Sequence, residues 1–157
     1  MNAVYAGSFD PVTNGHLAII RRASRLFGSL TVLVMENGAK KPLFTVAERV
    51  ELLKASLADL PHVQVASADG LLVDYLKTTG THILVRGVRG AGDVEQEMAN
   101  AYHNHLLFND VETVFLPAGE QERFVSSSAV REIAGLKGDV SSLVPPPVAQ
   151  ALRKKFN

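Results

Sequence analysis

The segment Gly7-Ser8-Phe9-Asp10-Pro11-Val12-Thr13-Asn14-Gly15-His16 brings glycine, a hydroxyl and an imidazole close together, and these are groups that handle phosphate. Glycine lets the backbone approach a ligand closely, and Ser8 follows it with a hydroxyl. Thr13-Asn14-Gly15-His16 then opens a helical pattern. A helix N-terminus presents free N–H groups and the positive end of a dipole, both suited to an anion. His16 in that first turn can donate a hydrogen bond to a phosphate oxygen. The same residues also read as a turn with Thr13 or Asn14 as N-cap and an exposed histidine. The glycine and lysine spacings are those of neither a Walker A loop nor a GxGxxG fingerprint.

Three further clusters carry similar chemistry. Arg86-Gly87-Val88-Arg89 follows an apolar run, and a guanidinium offers paired donors to phosphate oxygens. The two arginines read otherwise as a surface ion-pair site. Lys40, beside Lys41, is a mobile point charge for phosphate or a solvated surface lysine. Ser126, Ser127 and Ser128 precede a helical stretch that they can cap, leaving its N–H groups for an anion. His62, His82, His103 and His105 show no metal-ligand spacing, so no protein-held metal is expected. Neither paired carboxylates nor a Ser/His/Asp arrangement is evident.

Short apolar runs alternate with longer amphipathic stretches, and these elements must position the clusters. Strands are expected at Ala3 to Ala6, Leu30 to Met35, Val63 to Ala66, His82 to Val85 and Val111 to Leu116. Helices are expected at His16 to Phe27, from a Thr45/Glu48 capping box toward Pro61, at Leu71 to Lys77 and at Asp93 to Phe108. Two more follow at Ser126 to Leu136 and Pro146 to Phe156. Alternation of this kind predicts an α/β fold, a Rossmann-like doubly wound parallel sheet of five strands in the order 3-2-1-4-5. A C-terminal helical extension completes it. Ligands bind such sheets beyond the carboxyl ends of the strands, where strand order reverses. Gly7-Ser8, Arg86 to Arg89 and the three serines all fall at such ends.

With 157 residues, no internal repeat and no long linker, residues 1–157 are expected to form a single domain. Sixteen basic residues balance sixteen acidic ones, so the basic excess of a duplex nucleic-acid binder is missing. The absence of cysteine excludes disulfides, thiolate metal sites and cysteine nucleophiles. No apolar run approaches the roughly 20 residues of a membrane span, and the first residues lack the pattern of a signal peptide. A soluble cytoplasmic protein is the expectation, with neither nucleic acid nor membrane as partner.

The run GSFDPVTNGH resembles the first motif of the nucleotidyltransferase superfamily. With Lys40-Lys41-Pro42-Leu43-Phe44-Thr45, Arg86 to Arg89, Asp93 to Glu97, and Ser126 to Ser128 followed by Val130-Arg131-Glu132, the whole chain is similar to the bacterial phosphopantetheine adenylyltransferases. The resemblance implies transfer of AMP from ATP to 4′-phosphopantetheine, yielding dephospho-coenzyme A and pyrophosphate. The attacking group is already a phosphate, largely ionised near neutral pH, so no strong general base is needed. His16, Lys40 and Arg89 are the catalytic residues it implies. Ser8, Phe9, His16, Gly87, Val88, Arg89, Glu97, the segment Glu122-Arg123-Phe124-Val125 and Ser126, Ser127 and Ser128 would bind ATP. Ser8, Lys40, Leu72, Arg86, Asn104 and Glu132 would bind phosphopantetheine. The family usually has threonine where this chain has Ser8, and aromatic residues where it has Val94 and Gln96. Magnesium carried with ATP, a homohexamer and feedback by coenzyme A are further family expectations. The alternatives are another nucleotidyltransferase of the superfamily or a non-catalytic nucleotide-binding module.

Overall fold

The computed structural model describes residues 1–36, 38 and 41–157. Its elements run β1 (Asn2–Gly7), α1 (Asn14–Phe27), β2 (Ser29–Met35), α2 (Val46–Ser56), β3 (Val63–Ala68) and α3 (Leu72–Thr79). After these come β4 (Ile83–Val88), α4 (Ala91–Leu107), β5 (Glu112–Pro117), α5 (Ser127–Gly135) and α6 (Pro146–Phe156). The strands form one parallel sheet in the order β3-β2-β1-β4-β5, as the alternation of elements predicts.

β1 and β2 are continuous apolar runs because helices cover the sheet on both sides. One face carries Tyr5, Val32, Val34 and Val85, packed with Ile20 of α1, Leu53 of α2, Val130 of α5 and Leu152 of α6. The other carries Val4, Ala6, Leu33 and Leu84, packed with Leu76 of α3 and with Val111. Each fully buried valine, leucine or isoleucine among them contributes about 1.5–3 kcal/mol. α4 adds no buried residue to either face.

Helix ends follow local chemistry. α1 begins at Asn14, two residues before the expected start, because Thr13 is its N-cap. The Thr13 side chain accepts from the His16 N–H, and the His16 ring accepts from the Thr13 N–H. The predicted Thr45/Glu48 capping box opens α2. Gly28 (φ 76°) and Gly80 (φ 62°) close α1 and α3 in a conformation that only glycine adopts without cost.

Where the strand order reverses, the pairing is short. β1 registers with β2 from Asn2 through Gly7, but with β4 only at Val4 and Tyr5. Beyond that point the ends of β1 and β4 part, and Ala6 to Ser8 face Arg86 to Arg89 across an opening lined by all of them.

Candidate functional site

That opening is a cavity of about 620 Å³. Its floor is the segment from Tyr5 to Asp10, its sides are the β4 end and the α1 N-terminus, and α5 closes it with Ser126, Ser127 and Ser128.

The loop after β1 is held from several directions. Arg49 Nη1 donates to the Ser8 carbonyl at 2.8 Å, and Arg131 Nη1 donates to the Asp10 carbonyl at 2.6 Å. Ser127 Oγ donates to the Pro11 carbonyl at 2.8 Å. The Asp10 carboxylate accepts from the N–H groups of Leu43 and Phe44 at 2.8 and 2.9 Å, tying the loop to the approach to α2. These bonds bring α2, α5 and the 43–44 segment onto one short turn. Gly7 admits that turn, since a Cβ there would stand 3.2 Å from the Phe9 ring.

His16 is half-buried against Phe9, with ring centroids 5.0 Å apart in an edge-on arrangement. The Thr13 N–H, which can only donate, meets Nδ1 at 3.0 Å. Nδ1 is therefore the acceptor and Nε2 carries the proton, an assignment made from the hydrogen bonding. The imidazole pKa falls from 6.5 to about 4, first through burial and then through the charges of Arg89 and Arg86. The ring is a neutral donor through Nε2 at ordinary pH. Tyr5 beside it has its phenol pushed up to about 12, chiefly by burial, and stays protonated.

Both arginines of the β4 cluster are ion-paired. Arg86 donates from Nε and Nη2 to the two Glu97 carboxylate oxygens at 2.6 and 2.8 Å, and from Nη1 to the Ala6 carbonyl at 2.7 Å. A guanidinium has five N–H groups, so these bonds leave two of them uncommitted. Arg89 pairs with Asp93 at 2.9 Å, and its backbone N–H also donates to that carboxylate at 3.1 Å. The ion-pair and phosphate readings of this cluster are thus compatible for Arg86. At Arg89 the partner is exposed enough to be displaced, with side-chain exposures of 43% and 34%.

The cavity gathers most of the residues singled out from the sequence: Ser8, Phe9 and His16, then Arg86, Gly87, Val88, Arg89 and Glu97, then Glu122, Val125 and the three serines. Ser126 also caps α5, accepting from the Ala129 N–H at 3.1 Å. Leu72 and Asn104 lie instead along a smaller cavity of about 200 Å³ on the other side of the sheet end. The two cavities share Arg86 and Glu97, so that ion pair is their common wall. Arg123 and Phe124 line neither, and Phe124 is 85% exposed with the Arg123 guanidinium over its ring. Glu132 is exposed and lines neither cavity. Lys40 lies outside the described residues. Asp10, Arg49 and Arg131 were not foreseen as site residues. Arg49 does carry a signal, since it falls on the apolar stripe of α2 with Val46, Leu53 and Leu57.

Among the described residues, no group of three or more His, Asp or Glu side chains is arranged to hold a metal ion. Nor is any helix long and apolar enough to cross a membrane.

The profile of the cytidylyltransferase-like family matches residues 4–133. Over 156 residues the chain is 47% identical to the phosphopantetheine adenylyltransferase of Dictyoglomus thermophilum, covering 99% of this chain and 95% of that protein. It is equally identical, at 47%, to the phosphopantetheine adenylyltransferase of Dictyoglomus turgidum, covering 98% of it. Family profile and relatives agree with the sheet order and with the phosphate-ready end of β1: the chain belongs to the cytidylyltransferase-like family and, within it, to the phosphopantetheine adenylyltransferases.

Proposed function

We propose that the chain transfers AMP from ATP to 4′-phosphopantetheine, forming dephospho-coenzyme A and pyrophosphate by direct in-line displacement. The observation that carries this reading is the state of His16, a neutral Nε2 donor facing a cavity rimmed by Arg86 and Arg89. An oxygen of the phosphopantetheine phosphate attacks the ATP α-phosphorus, the bond to the β-phosphate oxygen breaks, and pyrophosphate leaves with that electron pair. The nucleophile arrives charged, so the protein supplies positioning and charge stabilisation rather than a base.

In this reading His16 donates to an α-phosphate oxygen and Ser8 sits where the two substrates meet. Arg86 offers its uncommitted N–H groups to the phosphopantetheine phosphate, with Leu72 and Asn104 along the adjoining cavity for the pantetheine arm. Arg89, Gly87, Val88 and the α5 N-terminus take ATP, with Glu122 and Val125 beside it. Lys40 would add a mobile charge to the phosphates. Glu97, ion-paired with Arg86, would serve that arginine more directly than the nucleotide. Glu132, Arg123 and Phe124 would reach ligand only by movement from their present positions.

The carboxylates of the cavity fit an ion carried by substrate. Asp10, Glu97 and Asp93 are engaged by N–H groups, while Glu36 and Glu122 also line the cavity; in this reading magnesium is carried mainly by the ATP phosphates. Bound there, magnesium would neutralise charge on the leaving pyrophosphate. A cytoplasmic location, coenzyme A as feedback ligand and a homohexamer belong to the same proposal. The hexamer draws support from α4, where Met98, Tyr102 and Leu106 repeat on one exposed face.

Incubated with ATP, magnesium and 4′-phosphopantetheine, the protein is expected to release pyrophosphate, and nicotinamide mononucleotide is expected not to replace the acceptor. His16→Ala should lower turnover about a hundredfold, roughly 3 kcal/mol of transition-state stabilisation. Background release by the wild type, or full turnover by His16→Ala, would sink the proposal.

A further inference from the structure

Arg49 is 2% exposed, yet among the described residues it forms no ion pair. Buried guanidinium groups ordinarily meet a carboxylate, because an unpaired buried charge is costly. Here the partners are backbone carbonyls: Ser8 at 2.8 Å and Met35 at 3.5 Å from Nη1, and Thr45 at 3.4 Å from Nε. Arg49 also lines the main cavity. A cation in this place bridges the ends of β1 and β2 under a site built for anions.

The bond to Ser8 has a geometric consequence. The Ser8–Phe9 peptide is trans, so its N–H points opposite to its carbonyl. Holding the Ser8 carbonyl on Arg49 therefore fixes the direction of the Phe9 N–H. That N–H has no acceptor among the described residues, and Phe9 lines the cavity. Phe9 also sits at φ 48°, in the left-handed region that a bulky residue rarely occupies. Such a backbone conformation persists only where surrounding contacts over-determine it, and the Arg49 bond is one of them.

We propose that Arg49 is a positioning residue for adenylyl transfer: by gripping the Ser8 carbonyl, it aims the Phe9 N–H at the nucleotide's α-phosphate. It acts through the peptide and not by touching substrate. The proposal rests on the adenylyltransferase reading, but one of its tests needs only ATP.

Arg49→Met keeps the length of the apolar stem and removes every donor, whereas Arg49→Lys restores one charged donor. With both variants matched to wild type in folded fraction by urea denaturation, Arg49→Met is expected to lose about tenfold or more in kcat, since misplaced catalytic groups cost rate steeply. KM for either substrate should change less than about threefold, because aim and not binding is lost. Arg49→Lys should recover part of the lost kcat. Wild-type kcat in folded Arg49→Met, a loss confined to KM, or no recovery with lysine would each overturn the proposal.

A second measurement uses the unmodified protein and ATP alone, and so holds even where Arg49→Met does not fold. The Phe9 amide resonance should move downfield as magnesium-ATP is added. A Phe9 amide unmoved at saturating ATP would overturn the proposal, whichever acceptor the enzyme uses.

Discussion

Thr13 N–H occupies Nδ1 of His16, and burial with Arg89 and Arg86 holds the imidazole at about 4 against its ordinary 6.5. The pH dependence of stability follows from that difference. Above 6.5 the ring is neutral both folded and unfolded, and His16 costs nothing. As pH falls below 6.5 the unfolded chain takes up a proton that the folded ring refuses, so stability is lost progressively down to about 4. The loss is at most about 3 kcal/mol over that window. His16→Gln removes the titration, so urea midpoints at pH 7 and pH 5 should differ less in the variant than in the wild type. An equal drop in both would show that His16 titrates normally. The imidazole was legible in the sequence as a phosphate donor. Its tautomer was not, because the sequence left the N-cap open between Thr13 and Asn14 and the ring's role follows only from Thr13.

Among elements, the turn from β1 to α1 is where local pattern and long-range contact divide most clearly. Strand and helix periods placed the sheet order, and glycines placed the ends of α1 and α3. What holds the turn could not be read that way, because Arg49, Arg131 and Ser127 reach it from far along the chain. Arg131 and Ser127 are polar residues in a helix that would serve equally well as surface groups, and Arg49, though on the apolar stripe of α2, does not reveal its partner by its position. The Asp10 carboxylate is the counterpart on the turn itself, accepting the Leu43 and Phe44 N–H groups. Asp10→Ala leaves both donors without their acceptor and should destabilise by about 2 kcal/mol or more, read as a lower urea midpoint at unchanged slope. Thr13→Val keeps the side-chain shape but cannot accept from the His16 N–H, so it should cost about 1 kcal/mol. It should also lower kcat, since the cap sets where the His16 ring stands. A Thr13→Val variant with reduced stability and intact kcat would separate the cap from the catalysis.

At the scale of the whole molecule, α4 is the helix that adds least to the core. It is the longest helix, Ala91–Leu107, yet none of its residues is buried. Met98, Tyr102 and Leu106 are 59%, 61% and 63% exposed, and their i, i+4, i+8 spacing puts them on one face. A sequence period marks such a stripe as core-facing, and only the fold reveals that it stays largely exposed. Glu97 is on the same helix, paired with Arg86 at the wall between the two cavities. Contact at the exposed stripe would therefore steady the helix that orients a phosphate-facing arginine. If a second copy covers this face, wild-type protein should sediment as an oligomer. Tyr102→Glu with Leu106→Glu should shift it toward monomer while leaving the urea midpoint of the isolated chain nearly unchanged, since neither side chain supports the core. Loss of assembly should then raise KM for phosphopantetheine more than KM for ATP, because Arg86 faces the acceptor phosphate in the proposed site. A monomeric double variant with unaltered KM values would place the assembly surface apart from the site. A double variant that still sediments like the wild type would put the contact between copies elsewhere on the molecule.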